Sequence, residues 1–236
     1  VTFPEPDTLF DDYKGRGAAA RDQDMTIDNS MFLGSDLKVD AFFTNRYERM
    51  NPEQINLFKE AYKKENEYLI NNQLSGKELV RWKYQRYLKD YLSCVKSVDD
   101  CVGELWTWLE ENNMLENTIF VYSSDQGFYL GEHGWFDKRF MYDESYRTPL
   151  VMSWPRVITP GSVNSNLVSN LDFAQTFIEA AGAEAHPRMQ GESLLPLLAG
   201  DENTEWRSSH YYHYYEYPGW HMVYRHEGVY DGRFKL

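Results

Sequence analysis

Apolar residues recur at Leu79, Trp82, Leu88, Tyr91, Val95, Val98, Val102, Leu105 and Leu109, largely in steps of three, four and seven. That spacing predicts one long amphipathic helix, ending near Asn112-Asn113. Ahead of it, Asn51-Pro52-Glu53 supplies an N-cap and a first-turn proline for a helix running to about Leu74, with Gly76 as its breaker. Thr118 to Ser123 is a continuous β-prone run, expected of a strand buried on both faces, and a strand after a long helix predicts an α/β fold. A second short strand is predicted from Pro149 to Pro155. Asp172 caps a helix that runs to Ala181 and stops at Gly182, and Ser193 to Leu198 makes one more helical stretch.

From Ser209 the pattern changes. Tyr211 to Tyr217, His221 to Arg225 and Gly228 to Leu236 read as strands of a smaller antiparallel sheet. Alternation places Tyr212, Tyr214 and Glu216 on one face and Tyr211, His213, Tyr215 and Tyr217 on the other. The first 50 residues are polar, weakly periodic and broken by Gly and Pro, which predicts an irregular segment lying on another surface. The expected organisation is therefore an irregular stretch over 1–50, the body of an α/β domain over 51–205, and the start of an antiparallel subdomain over 206–236.

Composition narrows the function. The net charge of −13 argues against a nucleic-acid backbone binder, although a locally positive site for a small anion stays compatible with it. No stretch approaches the ~20 apolar residues of a membrane span. The aromatic share of 16% suits a packed core and also a carbohydrate-handling surface. Cys94 and Cys101 fall two helical turns apart, roughly 10 Å, which is too far for a disulfide; both read as buried thiols. The chain begins at Val1 and ends at Leu236 within a strand pattern, so it reads as part of a longer protein.

The chemistry concentrates in Ser123 to Lys138. Asp125 and Gln126 stand at the C-terminal end of the Thr118–Ser123 strand, the edge where open α/β sheets bind ligands. Their oxygens are hard donors, suited to Ca²⁺ or Mg²⁺, whereas Asp at a strand end also serves as an ordinary turn residue. Gly127, Gly131 and Gly134 let the backbone turn tightly afterwards.

The ordered run Asp125-Gln126-Gly127, Leu130-Gly131-Glu132-His133-Gly134, Lys138 and Arg147-Thr148-Pro149-Leu150 resembles the C-terminal half of the sulfatase family within the alkaline-phosphatase-like superfamily. Val98 to Gly103, Leu167 to Asp172 and Gln190 to Leu194 extend that resemblance. It implies an alkaline-phosphatase-like mixed sheet flanked by helices, present in part, with a small C-terminal antiparallel sheet. It also implies hydrolysis of a carbohydrate sulfate ester. Asp125 and Gln126 would bind a divalent metal, Ca²⁺ by family habit with Mg²⁺ as alternative, and Lys138 would contact the sulfate. The family's nucleophile is a formylglycine made in a Cys/Ser-x-Pro-x-Arg motif; neither Cys94 nor Cys101 lies in one, so an N-terminal half of the same protein is the expected supplier.

His133 is a candidate substrate contact, with loop bracing as the favoured alternative. Tyr214 to His221 resembles bacterial sulfatases acting on N-acetylglucosamine 6-sulfate, which makes Trp220 a candidate for stacking on the sugar and His221 for bonding a hydroxyl. The resemblance further implies a secreted, periplasmic or lysosomal protein. The rivals are another alkaline-phosphatase-like phosphate or phosphonate hydrolase and a non-catalytic sulfatase-derived binding module.

Overall fold

Asn51 opens the first long helix in the way its sequence requires. Its side chain accepts the Gln54 amide at 2.9 Å, the Gln54 side chain returns to the Asn51 amide at 3.0 Å, and Pro52 fills the first turn. This computed structural model describes residues 1–39, 47–217 and 219–236; residues 40–46 of the expected irregular segment, and Pro218, lie outside the described residues. The helices are α1 (Ala18–Asp22), α2 (Pro52–Asn72), α3 (Gly76–Glu111), α4 (Asp143–Tyr146), α5 (Leu171–Ala180) and α6 (Leu195–Leu198). The strands are β1 (Phe120–Ser123), β2 (Leu150–Ser153), β3 (His210–Tyr214) and β4 (His226–Tyr230). They form two units that interleave along the chain.

The first unit comprises Val1–Asp99, Phe128–Phe140 and Glu216–Tyr224. Its core joins Leu9, Ile27, Met31 and Leu37 of the irregular segment to Val80, Tyr84 and Leu88 of α3. The buried face of α3 is thus set by positions 80, 84 and 88, one residue round from the start of the stripe expected at Leu79 and Trp82. The segment is held by its backbone: Tyr84 donates to the Pro4 carbonyl at 2.6 Å, and the Gln85 side chain bonds both the amide and the carbonyl of Phe3, at 2.9 and 2.7 Å. Lys83, 5% exposed, donates to the carbonyls of Ile27 and Asp28 at 3.1 and 2.7 Å; burial pulls its ammonium below the ordinary lysine range. Arg86 is also buried and is neutralised by Glu65 at 2.9 Å, with its guanidinium over the Tyr62 ring. Further along α3 the expected burial holds at Leu109 but fails in between. Val95 and Val98 are exposed, and so are Cys94 and Cys101, contrary to the expectation of buried thiols.

The second unit comprises Asp100–Gly127, Met141–Tyr215 and Arg225–Leu236. Within it β1 pairs antiparallel with β2, Phe120 opposite Ser153 and Ser123 opposite Leu150. The strand expected to be buried on both faces is half-buried, with Tyr122 exposed, because among the described residues β2 is its only ladder. β3 and β4 pair antiparallel as expected, and alternation holds: Tyr212 and Tyr214 both pack on His226, while Tyr211 and His213 turn to Glu227 on the other face. The strand expected at His221 to Arg225 is absent from the described residues; Trp220–Met222 instead forms a single 3₁₀ turn in which His221 and Met222 have φ of 65° and 53°. Such a backbone cannot continue a ladder.

Asp172 anchors this unit. It lies in the first turn of α5, fully buried, and its carboxylate accepts the amides of Ser169 and Glu192 at 2.7 and 2.9 Å. Arg207 completes the shell with two parallel bonds of 2.6 and 2.7 Å. Burial alone would raise the Asp172 carboxyl; the Arg207 guanidinium and the two amides more than reverse this and hold it below the usual carboxylate range. We predict that Arg207→Ala costs about 3–5 kcal/mol, because it leaves that carboxylate buried and unpaired. The stability from a lowered carboxyl is present above the unfolded value of about 3.9 and is lost as pH falls through the folded value. Urea unfolding from neutral pH downward should therefore show stability declining below about pH 4, and a flatter decline in Asp172→Asn. Equal slopes in the two proteins would contradict the assignment.

Candidate active site

Asp125 and Gln126 leave the end of β1 into a turn closed by α4. Gly127 donates its amide to the Ser145 carbonyl at 3.0 Å, and a Cβ on Gly127 would run into the backbone of Glu144 and Ser145, so only glycine allows this approach. The Gln126 amide nitrogen donates to the same carbonyl at 2.9 Å. With its nitrogen spent, Gln126 has its side-chain oxygen left as a donor atom. The neighbouring Asp125 is exposed, and among the described residues its carboxylate makes no hydrogen bond or ion pair. Two adjacent hard oxygens fit a share of a Ca²⁺ or Mg²⁺ shell. They are not a complete set: among the described residues no group of three or more His, Cys, Asp or Glu could hold a metal.

The other candidates lie in the first unit, on the loop from Phe128 to Phe140 and on Glu216–Tyr224. Tyr87 of α3 donates to the Tyr129 carbonyl at 2.8 Å, and the Tyr129 amide donates to the Asp137 carbonyl at 2.8 Å, closing the loop at both ends. Ile27 and Met25 add bonds of 2.9 Å to Gly134 and Phe136. At the loop's far end Asp137 takes φ of 68°, and Lys138 follows it half-buried. The Lys138 ammonium is 5.8 Å from the Phe128 ring centroid and has no carboxylate partner among the described residues. A cation so placed is suited to receiving an anion.

His133 sits differently. Arg16, itself paired with Asp11, donates to its Nδ1 at 3.2 Å. The His133 amide donates to Thr8 Oγ1 and its carbonyl accepts the Tyr13 hydroxyl, both at 2.8 Å. Burial pushes that hydroxyl up to about 12 and keeps it a donor. These contacts make His133 a brace of the loop. Trp220 is 75% exposed, open to a flat ligand. His221 is half-buried: its Nδ1 faces Asp24 at 3.1 Å and its Nε2 lies 3.4 Å from Asp137. Arg139 donates to Asp137 at 2.8 Å and to Glu216 at 3.0 Å. Asp24, Asp137, Arg139 and Glu216 escaped sequence reasoning. The charged run Asp137-Lys138-Arg139 was a usable signal, whereas nothing local marks Asp24.

The Sulfatase family matches residues 10–183, and the family described as N-sulphoglucosamine sulphohydrolase, C-terminal, matches residues 131–236. The chain belongs to the sulfatase family. It is 48% identical, over 99% of its length, to an N-acetylglucosamine-6-O-sulfatase of Bacteroides thetaiotaomicron, of which it covers 44%. It is 39% identical to the N-acetylglucosamine-6-sulfatase of Homo sapiens across 48% of the chain and 20% of that relative. The solved structure of BT4656 in complex with its substrate D-glucosamine-2-N,6-O-disulfate superimposes with a TM-score of 0.95 at 47% identity, over all of this chain and 50% of that one. A phosphonate monoester hydrolase from Silicibacter pomeroyi aligns less well, with a TM-score of 0.60 at 25% identity over 66% of the chain and 33% of that one. The fold is thus the α/β fold of alkaline-phosphatase-like sulfatases. The chain spans half or less of the length of these relatives.

With two residues offering at most three oxygens where Ca²⁺ takes six to eight, residues 1–236 alone should bind Ca²⁺ no tighter than about 10⁻³ M, and Asp125→Ala should abolish that binding. Titration calorimetry on the isolated chain checks this; a tight site would reveal a ligand set beyond Asp125 and Gln126.

Proposed function

We propose that this chain is the C-terminal part of a sulfatase that hydrolyses the 6-sulfate ester of N-acetylglucosamine or a close relative of that sugar. The single observation that carries the reading is 48% identity over nearly the whole chain to an enzyme of that activity. Sulfatases generally use a metal and a formylglycine, which supply charge stabilisation at the sulfate and the nucleophile. The N-terminal half of the same protein would contribute the formylglycine and the remaining metal ligands, and Ca²⁺ is the ion we favour. Within this chain, Asp125 and the Gln126 side-chain oxygen would hold part of that metal's shell.

Lys138 would donate hydrogen bonds to sulfate oxygens as negative charge grows on them. Its lack of a carboxylate partner among the described residues supports this role, since a paired lysine would have to give up its partner first. Trp220 would offer its exposed face to the sugar ring. The substrate is a sulfated carbohydrate, and a secreted, periplasmic or lysosomal location suits it. No helix among the described residues is long and apolar enough to cross a membrane.

In the full-length protein, Lys138→Ala should lower kcat/KM on N-acetylglucosamine 6-sulfate by ~10²–10³, the usual loss for one preorganised donor at developing charge. Stability should change by about 0.5 kcal/mol or less. Lys138→Arg should rescue only part of the rate, because a planar guanidinium aims its donors differently from a compact ammonium. Kinetics and thermal melts of both variants check this, and wild-type rates for Lys138→Ala would exclude Lys138 from the site.

A further inference from the structure

His221 stands between two segments that carry different parts of the candidate site. One is the loop end with Asp137 and Lys138; the other is the turn with Trp220. Its Nε2 lies 3.4 Å from Asp137 Oδ2, and its Nδ1 lies 3.1 Å from Asp24 Oδ1. The Asp24 amide donates to the His221 carbonyl at 3.0 Å, so backbone and side chain of the turn are both tied to residue 24. The Tyr224 hydroxyl adds a bond to Asp22 at 3.1 Å, and the Phe136 ring meets the imidazole edge-on at 5.2 Å. The charged groups around the ring are Asp24 and Asp137, with Arg139 on Asp137 at 2.8 Å and Glu216 on Arg139 at 3.0 Å. Both His221 and Asp137 hold left-handed backbone, at φ of 65° and 68°. A non-glycine residue keeps such a conformation only where its surroundings over-determine it.

We infer that His221 is a positioning residue that fixes the spacing between Lys138 and Trp220, and through it the match to a sugar that carries its sulfate at one particular distance from the ring face. The inference rests on the reading of Lys138 as sulfate contact and Trp220 as sugar contact. An imidazole suits this position because it offers nitrogens at both ends of a rigid ring, one for each carboxylate. The sequence neighbours of the two contacts, Asp137 and His221, are the residues that touch, so displacing one segment moves its contact relative to the other. The Nδ1 of His221 is engaged by Asp24, and its Nε2 stands within ion-pair distance of Asp137.

The test uses the full-length protein, N-acetylglucosamine 6-sulfate as substrate and inorganic sulfate as competitive inhibitor. Sulfate needs the Lys138 side alone, whereas the sulfated sugar needs both contacts in register. His221→Ala should raise KM for the sulfated sugar by ~10-fold or more through misplacement, and leave the inhibition constant of sulfate within about twofold. His221→Gln, which keeps an amide donor and acceptor, should recover part of the loss. Asp24→Asn should show a smaller rise in KM that disappears in the His221→Ala background, as coupled neighbours require. It alters an exposed carboxylate, so it reports even where His221→Ala fails to fold. Parallel loss of sulfate inhibition and substrate affinity would make His221 a general structural residue and overturn the inference, as would an unchanged KM. Lys138→Ala measured alongside separates the two levels: unchanged kinetics there would fail the site reading itself, while a large loss there with silent His221 and Asp24 variants would fail only the positioning role.

Discussion

The placement of Lys138 depends on backbone hydrogen bonds between an irregular segment and an irregular loop. Residues 25 to 27 bond Gly134 and Phe136 at 2.9 Å, and α3 holds both partners through Lys83, Tyr84 and Tyr87. Apart from α1 and single turns, neither the segment nor the loop is a helix or a strand, so neither satisfies all of its own amides and carbonyls. Each does so by using the other and the polar side chains of α3. A loop built in this way is rigid without regular structure, and rigidity is what a preorganised cation needs if it is to stabilise charge without first reorganising.

The same requirement explains why so many charges are buried. Lys83 is held by two carbonyls, Arg86 by Glu65, and Asp172 by Arg207 and two amides. In each case the buried charge ties two stretches of chain that are distant in sequence. Removing one partner strands the other in a dry environment, which costs more than the pair contributes by forming. The interactions are better understood as fastening particular segments than as general reserves of stability. The His221 cluster follows the same logic nearer the surface, joining three segments through three carboxylates and an arginine.

Much of the local structure was legible in the sequence. The Asn51-Pro52 start of α2, the length of α3, the stop at Gly182 and the alternation along β3 all follow from capping, periodicity and backbone sterics, which act over a few residues. The family block holding Asp125, Gln126 and Lys138 was visible because those residues stand in one short ordered run. What escaped is non-local. Val95 and Val98 lie on a well-formed amphipathic stripe yet are exposed, since periodicity marks a face and says nothing of what covers it. His221 to Arg225 reads as strand by composition, yet His221 and Met222 take left-handed backbone in a turn where His221 faces Asp24 and Asp137, contacts that weak β propensity does not foretell.

Sequence alone therefore determined the long helices, the two strand pairs and the family block from Asp125 to Lys138, all of which depend on neighbours within a turn or two. Only the tertiary structure decided which faces are buried, that His133 braces a loop through Thr8, Tyr13 and Arg16, and that His221 bridges Asp24 and Asp137. Those outcomes depend on residues tens to nearly two hundred positions apart, in part on atoms of the backbone that carry no residue identity. A carbonyl accepting from a distant tyrosine leaves no trace in the pattern of polar and apolar positions along the chain.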